Sequence, residues 1–242
     1  MIKIENVSVY GWEAAIRGMR NPLNSWDKSD SAACYNTSCE ECLAEKGCDF
    51  FTEDEFVAGE NDLALMKQLV KVGTDHRKFM RFITVTCDIT APLYWWKEAD
   101  TYKVGTVSNS CSTMHTLPKK EFTLDDFSHE HLVMDRDQAG SELLNADGKD
   151  TSILVTPKAL LKITIGCLNN CRMMFLKTKE KFWWWQMIQL LPSSYNQRRT
   201  VLLNYEVLMN MYHARKNHKL DEWCDFCGWV ESLPYMGVFL NA

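Results

Sequence analysis

Four cysteines lie close together in the N-terminal quarter of the chain. Cys34, Cys39, Cys42 and Cys48 follow a C-x4-C-x2-C-x5-C pattern in a stretch of little periodicity, about residues 30–56. Four thiolates can complete a tetrahedral zinc site. The pattern therefore indicates a zinc site within a cysteine-rich insertion, although four free thiols in a reducing cytosol would also account for it.

Polar side chains recur at helical spacing near the C-terminus. Asn204, Leu208, Met211 and Arg215 are separated by four, three and four residues, so a helix would carry them on one face. Arg198 precedes them in the sequence. Guanidinium groups have the planar donor geometry that suits a phosphate or the carbonyl of a base. The pattern predicts that these polar groups line one ligand site.

Two further cysteine pairs also have helical spacing. Cys224 and Cys227 are three residues apart, and Cys167 and Cys171 are four apart. A C-x2-C pair can carry out redox chemistry, but within a helix such pairs more often pack in the core. We therefore expect buried thiols at both places.

The composition restricts the class of protein. The chain has 242 residues, 46% hydrophobic content and a net charge of -5, with its basic residues scattered. This charge pattern argues against a nucleic-acid partner, because phosphate contacts need a concentrated basic surface. Its apolar runs are too short for a membrane helix, and no signal peptide is evident. We expect a cytoplasmic protein of one domain, without a membrane partner.

Hydrophobic periodicity predicts the elements that position these residues. Strands are predicted at 2–9 and 82–89, and helices at 62–72, from 91 through 102, at 123–134, 196–216 and 220–232, with polar loop at 105–118. The segment 157–190 is predicted to be helical with a break near 166–170, and Leu191-Pro192 ends it.

The C-terminal pattern resembles the flavin-dependent thymidylate synthases. That family has a Leu-Pro, then an Arg, then a helix with two Asn and an Arg, which match Leu191-Pro192, Arg198, Asn204, Asn210 and Arg215 without a gap. The resemblance implies that Arg198 and Arg215 bind the deoxyuridylate nucleotide and that Arg215 is catalytic. It also implies that Asn204 and Asn210 approach the flavin.

Two further positions, one near the C-terminus and one at residue 74, follow the same family pattern. His218 corresponds to a His that follows the last Arg, although this chain is one residue shorter there. Thr74 lies at the turn where the family has a Gly-His run. The resemblance assigns both residues to the cofactor.

A second stretch, residues 73–115, resembles the family in the order of its elements. Glu98 falls where the family has a nucleotide-contacting Gln, and Lys103 and Ser110 fall within its arginine-rich signature. Lys103 is the one positive charge of that signature that remains, so the nucleotide site is altered. Arg77, Lys78 and Arg81 are close in sequence, and we hypothesise that they restore positive charge from the neighbouring element.

The resemblance implies a mixed α+β fold in which a twisted sheet is flanked by long helices, in a single domain spanning residues 1–242. It implies an enzyme that completes reductive C5 methylation of dUMP with FAD and methylenetetrahydrofolate, in a homotetramer. The changed signature would also permit another modified pyrimidine. Two other hypotheses are a nucleotide- or flavin-binding protein without turnover and a zinc-dependent interaction module.

Overall fold

A computed structural model describes residues 2–33, 56–134, 141–143 and 153–242, which form two compact units. The larger unit contains residues 2–89, 98–109 and 199–242, and the smaller contains 90–97 and 110–198. The single domain predicted from the sequence stays a prediction. Cys34, Cys39, Cys42 and Cys48 lie outside the described residues.

Strands and helices are numbered here in chain order. The strands are β1 (Lys3–Tyr10), β2 (Ala32–Ala33), β3 (Phe56–Val57), β4 (Thr84–Pro92), β5 (Thr106–Ser110), β6 (Ser141–Leu143), β7 (Ile153–Val155) and β8 (Asn196–Asn204). The helices are α1 (Trp12–Arg20), α2 (Glu60–Val72), α3 (Leu93–Ala99), α4 (Thr113–Thr116), α5 (Pro157–Thr178), α6 (Lys181–Leu190), α7 (Tyr205–Arg215), α8 (Asp221–Ser232) and α9 (Met236–Leu240).

A four-stranded sheet of order β1-β4-β8-β5 organises the larger unit. In β4 the alternate residues Val85, Cys87 and Ile89 are buried, because side chains along a strand point to opposite faces. Ile83 just before it is also buried. The strand predicted at 82–89 is therefore present as β4, although it begins at Thr84. The mixed α and β class is confirmed.

Aromatic rings fill the core of the larger unit. Trp12 meets the edges of Tyr205 and Tyr235 at centroid distances of 5.4 and 5.2 Å. Gly11 lies immediately before α1 and allows that helix to start at Trp12. Its φ is +95°, and a Cβ there would lie 2.1 Å from the Phe82 carbonyl oxygen, so no other residue fits.

A buried ion pair ties α1 to α2. Arg20 donates from Nε to Asp62 Oδ1 at 2.6 Å, and Asp62 also accepts from the hydroxyls of Ser29 and Ser31 at 2.7 and 2.6 Å. The strands that flank the cysteine cluster pair directly, β2 with β3 antiparallel, with Ala32 opposite Val57. The hydrogen bonds from Ser29 and Ser31 to Asp62 therefore hold the segment before the cysteine cluster against α2.

The smaller unit is built on the helices α5 and α6. Pro157 occupies the first turn of α5, and the Thr156 hydroxyl accepts from Ala159 N at 3.3 Å as an N-cap. Lys179 in the left-handed region separates the two helices. Both helices contribute to one hydrophobic cluster, whose buried members are Leu117, Phe122, Phe127, Leu161, Ile165, Leu168 and Met187. No helix in the described part of the chain has both the length and the apolar content to cross a bilayer.

Several predicted elements are confirmed. The strand at 2–9 corresponds to β1, the helix at 220–232 to α8, and the helix at 62–72 to α2, which ends at Gly73. The helix α2 begins at Glu60, two residues before the predicted start. Asp30 supplies the capping carboxylate, which accepts from Asn61 N at 2.9 Å and Asp62 N at 3.1 Å.

Other predicted elements are wrong. Residues 196–204 are β8 rather than the start of a helix, and β5 and α4 lie in the predicted polar loop at 105–118. The helix predicted through residue 102 ends at Ala99. The helix predicted at 123–134 is a single 3-10 turn at Leu124–Asp126, although Thr123 does cap it. The break predicted near 166–170 falls at 179–180.

Candidate functional site

Arg215, the last residue of α7, is held by groups from two other segments of the larger unit. Its Nη1 donates to Glu98 Oε2 at 2.5 Å, and its Nε donates to the Tyr102 hydroxyl at 3.0 Å. Its guanidinium carbon lies 4.7 Å from the ring centre of Trp223, which is fully buried. A guanidinium plane fixed in this way has little rotational freedom, because both stacking and hydrogen bonds restrain it.

Glu98 is the centre of this cluster. Its Oε2 also accepts from Trp223 Nε1 at 3.2 Å and lies 3.5 Å from His218 Nε2. The other ring nitrogen of His218 accepts from Leu220 N at 3.2 Å, which fixes the ring at the start of α8. The structure therefore brings together Glu98 and Arg215, which were predicted for the nucleotide, and His218, which was predicted for the cofactor. We call Glu98, Tyr102, Arg215, His218 and Trp223 the Arg215 cluster.

Two members of the Arg215 cluster were not predicted as site residues. Tyr102 falls within the altered signature, and Trp223 comes five residues after His218. The sequence signal for Trp223 was an aromatic residue shortly after Arg215 and His218. The contacts that Tyr102 and Trp223 make with Arg215 join distant segments, so sequence spacing could not predict them.

Asn204 has a structural role that differs from the predicted one. It ends β8 and caps α7, because its Oδ1 accepts from Val207 N at 2.9 Å. The side chain is buried, and a Cβ on Gly105 would come within 2.4 Å of its Nδ2. Asn204 therefore precedes the helix on whose face the sequence had placed it.

A second group of charges lies beside the N-terminal half of α7. The buried Glu206 carboxylate accepts from Arg77 Nε at 3.5 Å and from both Nε and Nη2 of Arg81, the latter at 3.4 Å. Arg77 Nη2 donates to the exposed Asn210 Oδ1 at 3.0 Å. We call Arg77, Arg81, Glu206 and Asn210 the Glu206 cluster. Two arginines share one carboxylate, so the cluster carries an excess positive charge.

The surroundings of the Glu206 cluster carry both signs of charge. Thr74 and Lys78 are exposed in the turn that carries Arg77, and so is Asp75. Together with the hydrogen bond and charge of Glu206, the negative charge of Asp75 raises the pKa of Arg81. Burial lowers the pKa of His213, and the positive charges of Lys216 and Arg77 lower it further. The surface therefore carries Lys78 and the two arginines together with the exposed carboxylate of Asp75.

The remaining predicted nucleotide residues are exposed. Lys103 lies in the turn after α3 in the larger unit. Ser110 ends β5, and Arg198 lies on β8 where its carbonyl accepts from Cys111 N at 2.9 Å; both belong to the smaller unit.

The described residues contain no group of three or more histidine, cysteine or acidic side chains arranged to hold a metal ion. Burial raises the pKa of the Cys227 thiol to about 11, with a further increase from Cys224 and Glu231. A thiol with so high a pKa is a poor nucleophile at neutral pH. The expected burial of both cysteine pairs is wrong: Cys227 is buried, but Cys224 and Cys167 are exposed and Cys171 is partly buried.

No protein-family model matches the sequence, and no curated protein matches it either. Solved structures match over the whole chain. The flavin-dependent thymidylate synthase of Helicobacter pylori, complexed with FAD and dUMP, has a TM-score of 0.62 at 16% identity and covers 99% of this chain and 98% of that one. A second structure of that enzyme, also with FAD and dUMP, has the same TM-score and identity, covering 99% and 97%.

A different nucleotide methylase has a similar fold. The UMP/dUMP methylase PolB of Streptomyces cacaoi, bound with 5-Br dUMP, has a TM-score of 0.56 at 12% identity, covering 100% of this chain and 94% of that one. The chain therefore has the fold of the flavin-dependent thymidylate synthases, as its C-terminal pattern predicted.

Proposed function

We propose that this protein is a flavin-dependent enzyme that methylates C5 of a pyrimidine nucleotide, dUMP or a close relative. The observation that carries the proposal is the full-length similarity of fold to enzymes solved with FAD and dUMP. The similarity of PolB, which is bound to 5-Br dUMP, supports a nucleotide substrate. Fold alone does not set the chemistry, so the proposal also depends on the two residue clusters.

The Arg215 cluster is the proposed nucleotide site. Arg215 is rigid and half-buried, and in this position it would hold the base and stabilise negative charge that develops on a base carbonyl. Glu98 sets the orientation of Arg215 through their hydrogen bond. Lys103, which is exposed in the same unit, is the proposed phosphate contact, whereas the nucleotide roles of Arg198 and Ser110 rest on the resemblance alone.

The Glu206 cluster is the proposed flavin site. Thr74 and Asn210 are exposed beside Arg77, and the guanidinium donors of Arg77 and Arg81 suit the pyrophosphate of FAD. Asn204 and His218 fit a direct contact less well, since each uses a side-chain acceptor within the chain. Bound reduced flavin would supply hydride, and methylenetetrahydrofolate would supply the carbon.

A second candidate function is nucleotide or flavin binding without turnover. The Glu98 carboxylate already neutralises Arg215, and Lys103 is the remaining positive charge of the family signature. Both features weaken the electrostatic stabilisation that turnover requires.

The absorbance spectrum of the purified protein tests the proposal. The protein is mixed with FAD, desalted, and measured with and without dUMP. Retained flavin and a nucleotide-dependent spectral shift are expected, followed by mass-spectrometric detection of a methylated nucleotide when methylenetetrahydrofolate and a reductant are added. The Arg215→Gln variant should retain flavin but lose the shift.

The possible results separate the two functions. Binding of both ligands without product would favour the non-catalytic alternative. Failure to retain flavin and to bind dUMP would leave the shared fold without the proposed activity.

A further inference from the structure

The Arg215–Glu98 pair uses only part of the hydrogen-bonding capacity of each group. Arg215 donates from Nε and Nη1. The two hydrogen bonds to the Glu98 carboxylate, from Arg215 and Trp223, and the contact with His218 all meet its Oε2. Among the residues that the structure describes, neither Nη2 of Arg215 nor Oε1 of Glu98 has a hydrogen-bond partner. Their side chains are 19% and 35% exposed, so both remaining atoms belong to groups that solvent reaches.

These two atoms offer one donor beside one acceptor. The guanidinium and carboxylate planes are joined by the 2.5 Å hydrogen bond, and covalent geometry keeps Nη2 and Oε1 within a few ångströms of it. Tyr102 and Trp223 hold the guanidinium from other directions. The pair is therefore fixed before any ligand binds, which reduces the entropy cost of binding.

The paired charges disfavour a phosphate as the ligand. Glu98 cancels the charge of Arg215, and a carboxylate beside the guanidinium repels an anion. A neutral group with an N–H donor next to an acceptor is complementary to the pair, and the edge of a pyrimidine base is such a group.

We infer that Glu98 makes this site select a cytosine nucleotide over a uracil nucleotide. In this arrangement the 4-amino group of cytosine donates to Glu98 Oε1, and Arg215 Nη2 donates to the adjacent ring nitrogen. A carboxylate accepts but cannot donate, and acceptance from the cytosine amino group is its usual base contact. The inference rests on the proposed nucleotide site.

Uracil fits the same pair less well. It has a carbonyl oxygen where cytosine has the amino group, so two acceptors would face each other at Glu98. Its ring N–H lies between two carbonyl oxygens. A carboxylate that accepts from this N–H would therefore also lie close to both of these acceptor oxygens. A glutamine side chain, by contrast, can donate to a carbonyl as well as accept.

Dissociation constants for dCMP and dUMP, measured by calorimetry on the full chain with FAD present, test the inference. The wild-type protein should bind dCMP about tenfold more tightly than dUMP, the effect of one hydrogen bond to a charged group. The Glu98→Gln variant should lose or reverse this preference. Asp100→Asn is the matched control, because Asp100 is two residues away and pairs with Arg199 at 2.7 Å; its preference should be unchanged.

Each result decides a different point. Tighter binding of dUMP by the wild-type protein, or an unchanged preference in a Glu98→Gln variant with a wild-type circular dichroism spectrum, would overturn the inference and leave nucleotide binding intact. If neither nucleotide binds, the proposed function fails as well. A misfolded Glu98→Gln variant leaves the wild-type preference itself as the deciding measurement.

Discussion

The arginine–carboxylate pairs of the larger unit differ in burial. The side chains of Arg20 and Asp62 are 4% and 0% exposed, whereas those of Arg215 and Glu98 are 19% and 35% exposed. The side chains of the Arg77–Glu206 pair are 17% and 10% exposed, which lies between these two pairs. A fully buried pair with all its partners inside the chain serves the fold. The Arg215–Glu98 pair is partly exposed, so a ligand can reach it.

The Asp62→Asn substitution should destabilise the protein. It leaves the buried Arg20 charge without its counter-ion, which costs about 3 kcal/mol at neutral pH. Chemical denaturation measures this cost. The exposed Asp225→Asn substitution on α8 is the control and should change the unfolding free energy by less than about 0.5 kcal/mol.

The cost of Asp62→Asn should also depend on pH. Burial alone would raise the pKa of Asp62, but hydrogen bonds from Ser31, Ser29 and Arg20 and the Arg20 charge outweigh it, so the pKa lies below its ordinary value. An acid with a lowered pKa stabilises the fold above the unfolded value, about 3.9, and loses this contribution as pH falls through the folded value. The difference between wild type and variant should therefore shrink below about pH 4, and a constant difference would refute this account.

The cysteine cluster gives a second prediction at this scale. If Cys34, Cys39, Cys42 and Cys48 bind zinc, the purified protein should contain about one zinc per chain by elemental analysis. Replacing Cys39 and Cys42 by Ser should remove the metal. Cys111→Ser, at an exposed thiol elsewhere, is the control. Absence of metal from protein purified without chelators would favour free thiols.

At the scale of elements, the junction between β8 and α7 positions both clusters. Asn204 ends the strand and caps the helix, and α7 then carries Glu206 and Asn210 near its start and Arg215 at its end. The helix is 11 residues long, so it places the two clusters about 13 Å apart along its axis. A secure N-terminus therefore matters for both.

Asn204→Ala should lower the unfolding free energy by about 1 kcal/mol, because it removes the cap, while Asn204→Asp should keep it. Thermal or chemical unfolding of both variants measures this difference. Flavin retention adds a second measurement: a stable Asn204→Asp variant that loses FAD would assign Asn204 a direct cofactor contact. Equal stability of all three proteins would contradict the capping role.

At the scale of the whole molecule, the helices α5 and α6 expose apolar side chains that the smaller unit does not cover. Ile163, Met173, Phe182 and Trp185 are between 43% and 58% exposed. Apolar surfaces of this kind often mark interfaces between subunits. The homotetramer implied by the resemblance remains a proposal, and these helices are its candidate contact.

Light scattering coupled to size exclusion tests that contact. Wild-type protein should have the mass of four chains, and the Ile163→Glu/Trp185→Glu double variant should have a lower mass, because each charge would be buried in an apolar interface. Leu23→Glu, at an exposed leucine of the larger unit, should leave the mass unchanged. A monomeric wild-type protein would overturn the proposed assembly.

The sequence by itself determined the elements whose signals are local. The strand β4 and the end of α2 before Gly73 could be predicted from the sequence. The hydrophobic period of a strand and the tendency of glycine to end a helix are both properties of a short segment. The C-terminal pattern also indicated the fold. The resemblance assigned Arg215 to the nucleotide and His218 to the cofactor, because the order and spacing of residues in one short segment are visible in the sequence.

Only the tertiary structure decided the rest. Residues 196–204 are a strand because they pair between β4 and β5 in the sheet, although their own sequence is largely polar. The partner of Arg215 is Glu98, 117 residues earlier, and Trp223 joins them from another helix. Such contacts depend on which elements the fold packs together. That packing is set by burial and pairing across the whole chain, which no short spacing records.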